Sequence, residues 1–496
     1  MQYDVVIIGG GLGSLQCGYI LSRKGYNVCV LEKENHAGGC LQVFSRHGQR
    51  FDTGFHYVGG LDGGQAMNRL MDYYGLLELP WHRLDTTCYD EVIIDGERYM
   101  FPNGHDEFVE TMSGYFPRQR KNMELYARLL KDVGENVFDI FRPGREGMHD
   151  FHNSLFSESA YGYLENTFDD EKLINVLSGT SLKLEPHPGK LPLYIFAQTN
   201  ESYLESSWRI RGGGEQIADS LVADIVSCGS TVLCGKQVTE LVCKGGKISA
   251  ARTVDGDTVE GHVFISGIHP SETFALTDKS EIIRPVYRRR IDRLENTFGI
   301  FTVNIKLKEN RLQYLNRNLH IHSGGNVWSY HGYDPRKGDE YIFVSYAVPE
   351  ADNGPATNID LLSPMYWEEV SRWEDTRIGR RGEEYAEFKE NKARGMIDLA
   401  DRYIPGLKGS VDKIYTSTPL TWRDYTGTPR GSAYGIRKDY NKLTYTAIPA
   451  RTPVENLFLT GQNLSVHGIM GVSMTALLTS AQVAGREVLD DFMKDY

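Results

Sequence analysis

The 496-residue chain contains no run of about 18 apolar residues, the length needed to cross a bilayer. Its start passes almost at once into a strand-like stretch, without a basic n-region or a small-residue cleavage site, so no secretory signal is expected. Cysteine is sparse and unpaired: seven lie between Cys17 and Cys243, none follows, and no C-x-x-C occurs. That pattern excludes a disulfide framework and fits a reducing cytoplasm. Positive charge is also short, the formal net charge being −12, which argues against a nucleic-acid partner. No H-E-x-x-H, no metal-like Cys/His spacing and no G-x-S-x-G is present, so neither a metal centre nor a serine nucleophile is indicated. Hydrophobic content of 40% and charged content of 24% belong to an ordinary globular protein, and the length predicts more than one core.

What is there begins at the first residues, YDVVIIGGGLGS. Val5 to Ile8 read as a strand buried on both faces. Gly9, Gly10, Gly11 and Gly13 follow, then a helix expected from about Ser14 to Lys24, and a second strand, NVCVLE, that ends on Glu32. This order is the context that a G-x-G-x-x-G pattern needs in order to signal a dinucleotide site. Gly9 would make the tight turn, Gly11 would let backbone approach a pyrophosphate, and the helix N-terminus would offer free N–H groups. Ser14 stands at the third glycine position and is small enough for close packing. Glu32 would accept hydrogen bonds from ribose hydroxyls.

Beyond Glu32 lie a second glycine pair, Gly38 and Gly39, a hairpin expected around His47 and Gly48, and FDTGFHYVGG. A nicotinamide alone does not need this extension, whereas an extended FAD does. AGGC followed by FDTGFHYVGG resembles the N-terminal FAD signature of the phytoene desaturase and carotenoid isomerase superfamily of FAD-dependent oxidoreductases, within it most the retinol saturase-like group. Many desaturases carry arginine where this chain has Cys40. Near the other end, LTGQNLSVHGIMGVSM resembles the superfamily's C-terminal flavin motif.

The resemblance implies an α/β fold: an FAD-binding Rossmann-like domain of the glutathione reductase/amine oxidase type with an inserted α+β substrate domain. FAD-binding segments are expected at 1–75, 201–280 and 441–496, and substrate-domain segments at 76–200 and 281–440. The implied cofactor contacts are Gly9, Gly11, Gly13, Ser14, Glu32, Lys33, Gly38, Gly39, Cys40, Gly54, Val238, Gly461, Gln462, Asn463, Met470 and Gly471. Gly468 to Gly471 would open the last helix. Gly212 to Gly214 are not expected to form a second nucleotide loop, because no apolar strand precedes them.

Two aromatic-rich stretches, LPLYIFAQTNESYLESSW and TPLTWRDYTGTPRGSAYGIRKDY, are the candidate walls of a substrate pocket, with Arg423, Tyr425 and Tyr434 in the second. His56 and Tyr57 are the candidate catalytic pair, as proton donors near the flavin. The function implied is FAD-dependent saturation of a carbon–carbon double bond in a long apolar isoprenoid, retinoid or carotenoid-like substrate, with NAD(P)H a candidate reductant. Cis–trans isomerisation or desaturation on the same cofactor is the alternative, and a non-enzymatic isoprenoid-binding escort is a third reading. The partners expected are the apolar small molecule and, through the basic run Arg284 to Arg293, a membrane surface touched peripherally.

Overall fold

The computed structural model describes residues 2–142, 152–277, 282–332, 334, 341–352 and 354–494. The expected boundary between 280 and 281 falls outside them. One seven-stranded sheet gathers strands from three distant parts of the chain. Its order is Thr231–Leu233, Val28–Leu31, Gln2–Ile8, Thr258–Ser266, Lys247–Thr253 and Val238–Lys244, with Leu457–Leu459 also beside Thr258–Ser266. Gln2–Ile8 runs parallel to both neighbours, and Leu457–Leu459 is parallel to its partner as well.

The first strand is buried on both faces, as its β-branched run predicts. Val5 and Ile7 pack with Cys17, Leu21 and Ala476, whereas Val6 and Ile8 pack on the opposite side with Leu241 and Phe274. Each such side chain removed from water contributes roughly 1.5–3 kcal/mol. Helix Leu12–Arg23 starts two residues earlier than expected, because Gly11, in extended conformation, already serves as its N-cap.

A second seven-stranded sheet, almost wholly antiparallel, has the order Val411–Ser417, Gly299–Leu307, Asn358–Met365, Tyr341–Tyr346, Asn318–His322, Asp90–Ile94 and Glu97–Phe101. A hairpin, Val43–Arg46 with Gln49–Asp52, turns at His47 and Gly48 as the sequence suggested.

Two local expectations are corrected. A strand, Ser207–Ile210, does precede Gly212, but it pairs antiparallel with Val58–Gly59 and Trp81–Arg83, away from the nucleotide sheet. The helix after those glycines, Glu215–Ser227, has its entry occupied from within: Gly214 N–H donates to Asp52 Oδ1 at 2.7 Å. The helix beginning at Gly468 ends at Ala484 and is not the last, since Gly485 at φ 94° breaks it and Glu487–Met493 follows.

Candidate functional site

A cavity of about 1200 Å³ lies between the two sheets. That exceeds the range of about 300–1,000 Å³ usual for one small ligand. It has two chemically distinct ends.

At the nucleotide-sheet end the walls are mostly backbone. Gly9 (φ 86°) makes the turn out of the first strand, in a conformation that a side chain would strain. Its N–H donates to Leu31 O at 2.8 Å. A Cβ on Gly13 would stand 3.1 Å from both Cα and N of Gly461, so the two ends of the chain meet there without room for a methyl group. A Cβ on Gly11, by contrast, would meet nothing within 4 Å. That open space fronts the first turn of Leu12–Arg23, which has neither a side-chain cap nor an acidic residue. The first turn of Gly468–Ala484 is equally bare, and Gly468, Ile469 and Val472 line the same cavity. Two uncapped helix N-termini converging on one space favour negative charge there, each by about 0.3–1 kcal/mol.

Glu32 is 6% exposed and accepts from Gly10 N–H through Oε2 and from Glu34 N–H, at 2.8 Å, through Oε1. Burial pushes its carboxyl up, and those two N–H groups pull it back. Gly38 N–H donates to Gly10 O at 2.7 Å, tying the second glycine pair to the first loop. Lys33 reaches away, its Nζ donating to Asp424 O at 2.7 Å. Val238 lines the cavity at the start of its strand. Asn463 accepts from Ile436 N–H at 3.1 Å, and Gln462 lines the cavity beside it. Cys40 and Gly54 meet on the opposite wall, where burial pushes the Cys40 thiol up to about 11.

Not every implied contact faces the cavity. Met470 packs against Gln198, whose side-chain N–H donates to its sulfur. Gly471 fits a tight turn in which a Cβ would stand 2.4 Å from Val466 O.

Sequence reasoning missed Lys438. Its fully buried Nζ donates to Asn463 O at 2.8 Å and to Thr446 O and Leu464 O at 3.0 Å, pinning the loop after Gly461. Burial lowers its pKa to about 7. A lysine in a loop followed by DYNK carries no signal that would announce this.

The second-sheet end is built from side chains. Ile300, Thr302 and Asn304 alternate onto one face, and Leu362, Leu182, Ala433 and Tyr434 add to the lining. Tyr425 and Trp422 line it from helix Pro419–Thr426, but Arg423 pairs with Asp424 at 2.9 Å. The other candidate wall is core: Leu193, Tyr194, Ile195 and Phe196 are buried in helix Leu193–Glu205, away from the cavity.

The two residues of HY in the DTGFHY stretch separate. His56 lines the cavity, with Nδ1 3.7 Å from Asp360 Oδ2 and a buried Nε2 that has no hydrogen-bond partner among the described residues. Burial, then the Arg209 charge, lowers its pKa to about 4. Tyr57 turns into the core, where its O–H donates to Asp90 Oδ2 at 2.9 Å and its ring stacks 5.7 Å from Phe343. Lys183, His320 and Asn318 complete a buried cluster around Asp90.

The cradle fits an extended diphosphate-linked cofactor. Its backbone loops, two bare helix ends, the open space at Gly11 and the unpartnered Ser14 Oγ are what such a group would use.

Residues 7–74 match the NAD(P)-binding Rossmann-like domain family. An oxidoreductase from Methanosarcina mazei has a similar structure, with a TM-score of 0.64 at 16% identity, covering 96% of this chain and 99% of that one. Over 100% of its length the chain is 26% identical to the all-trans-retinol 13,14-reductase of Macaca fascicularis, of which 87% is covered. It is 21% identical to the neurosporene-forming phytoene desaturase of Rhodobacter capsulatus over 92% of this chain and 89% of that protein. Fold and relatives together define the protein as an enzyme, an FAD-dependent oxidoreductase with a Rossmann-like α/β architecture of the amine oxidase type. Within that class the chain is similar along its whole length to the all-trans-retinol 13,14-reductases and, at lower identity, to phytoene desaturase and prolycopene isomerase.

Proposed function

We propose that the protein saturates a carbon–carbon double bond in a long, apolar, conjugated substrate, with FAD bound along the glycine loops and NAD(P)H as the reductant. The full-length likeness to all-trans-retinol 13,14-reductase carries this reading, joined to a cavity too large for one ordinary ligand. When bound, the flavin supplies two-electron chemistry at one end of the double bond. The chain does the rest. Gly11, Gly13 and the N–H groups of both bare helices would hold the diphosphate, Glu32 and Val238 the adenosine end, and Gly461 to Asn463 the ribityl portion. Gly38, Gly39, Cys40 and Gly54 form the opposite wall. Ile300, Leu362, Leu182 and Tyr434 exclude water from an apolar polyene, and His56 manages the proton.

Desaturation or cis–trans isomerisation of a polyene is the second reading, favoured by the likeness to phytoene desaturase. Among the described residues no helix is long and apolar enough to cross a membrane. We place the protein in the cytoplasm, with peripheral contact through helix Pro285–Asp292, where Arg284, Arg289 and Arg293 are exposed beside Val286.

An anaerobic absorbance titration tests the whole reading. Bound flavin that NADH or NADPH bleaches and an apolar polyene such as all-trans-retinol reoxidises is the expected result. Flavin that no nicotinamide reduces, yet that supports polyene rearrangement once chemically reduced, replaces the reductase with an isomerase. Absence of flavin would sink the enzyme assignment.

A further inference from the structure

A carboxyl with no motif around it stands behind His56. We propose that Asp360 is the proton reservoir of the site: its Oδ2 holds a proton in the resting protein and passes it to Nδ1 of His56, which delivers its Nε2 proton into the cavity. This rests on the reductase reading and deepens it.

The geometry gives the two oxygens of Asp360 different work. In the second sheet Asp360 lies between Asn304 on one side and Ser345 on the other. Asn304 Nδ2 donates to Oδ1 at 2.7 Å, so Oδ1 is the accepting, carbonyl-like oxygen and the proton belongs on Oδ2. Oδ2 is the oxygen that faces His56 Nδ1, at 3.7 Å. Neither side chain is sealed, since Asp360 retains 11% and His56 10% of its exposure. A shift of under about 1 Å by either brings them to hydrogen-bond distance.

Burial favours the neutral acid. It raises the pKa of Asp360 to about 7; the hydrogen bond from Asn304 pulls it down, and Asp52, at the end of the neighbouring hairpin, pushes it up again by a smaller amount. Arg50 acts on Asp52, and Asn358 donates to the Arg50 carbonyl. Arg209 is committed to Tyr314, Asn318 and the carbonyls of Leu315 and Arg317, and its charge opposes charge on the His56 ring.

In the step proposed, the Asp360 O–H bond breaks and an N–H bond forms at His56 Nδ1. The ring, resting with its proton on Nε2, then gives that Nε2 proton to the substrate carbon opposite the one that takes hydride, and is left neutral with the proton on Nδ1. The electron pair would come from the two-electron reduced flavin, and Asp360 remains a carboxylate until a water proton enters at Nε2 and the Nδ1 proton returns to Oδ2. Burial makes charging His56 unfavourable, so the transient imidazolium is a strong acid, as protonation of carbon requires.

Infrared difference spectra of the flavin-loaded protein, taken at pH about 6 and about 9, test the reservoir without any substrate. The expected result is a protonated-carboxyl band that fades as pH rises, is absent in Asp360→Asn and persists in Asp52→Asn. Turnover then tests delivery. Asp360→Asn is expected to retain its flavin and its rate of reduction by nicotinamide, to lose about 100-fold in kcat, and to lose the alkaline fall of the kcat–pH profile. His56→Gln should match it in kcat while keeping the infrared band, which separates loss of delivery from loss of folding. No Asp360-dependent band overturns the proposal whatever the activity; a band with an unchanged kcat–pH profile in Asp360→Asn overturns it equally. A band in a protein that reduces no polyene overturns the reductase reading, and the delivery step with it.

Discussion

The two ends of the cavity are built on opposite principles. The nucleotide end is backbone held in place by glycines, where the free N–H groups of two helices and the turn at Gly9 are what a diphosphate would use. The other end is a sheet face in which the side chains of Ile300, Thr302, Asn304, Leu362 and His56, with Asp360 behind His56, meet only because strands pair across long separations. The contrast teaches that a site made of backbone needs particular residues in particular order, and so leaves a motif. A site made of side chains on a sheet needs only a register.

The sharpest way to break this comparison is to fill the backbone end. Gly13→Val should clash with Gly461 and separate the two chain ends, costing about 1–3 kcal/mol of packing and lowering flavin affinity roughly 10- to 100-fold. Flavin absorbance per polypeptide after dialysis reads this directly. Next in size is Lys438→Met, which leaves three carbonyls around the loop after Gly461 without their donor. A loss of about 2–4 kcal/mol in stability is expected, with weaker flavin retention, by denaturant titration.

The side-chain end should declare itself through pH. Burial raises Asp52 from 3.8 to about 7, so the folded protein holds a proton there that the unfolded chain has released. Stability from this group is therefore complete below about 3.8 and is lost as pH rises toward about 7, by up to about 1.4 kcal/mol per unit. Asp52→Asn should flatten that part of the stability–pH curve, measured by thermal melts at constant ionic strength. The smallest effect belongs to Tyr57→Phe. Losing the O–H to buried Asp90 should cost about 1 kcal/mol of stability and leave kcat within about twofold. A large fall in kcat would return Tyr57 to the chemistry.

Much of the nucleotide end was legible in order along the chain: the first strand, the glycine turn, Glu32 and the hairpin at His47 all stand where local pattern put them. The second strand and its helix differ by only a residue or two. Less was legible where burial decides. The stretch from Leu193 to Glu205 reads as a pocket wall by its aromatics, yet it is core, because helical spacing does not say what its apolar face will cover. Asn304, Asp360 and Lys438 carry no neighbouring signal at all.

Taken alone, the amino-acid order determined that a diphosphate cradle forms at the first strand and is completed from the far end of the chain, because glycine, strand and helix signals are local and glycine's backbone range is unique to it. Tertiary structure alone decided that His56 and Tyr57, adjacent in sequence, part company, one toward the cavity and Asp360, the other toward Asp90. Successive residues in extended chain point to opposite sides, and only the packing of the second sheet against that segment settles which side is wall and which is core.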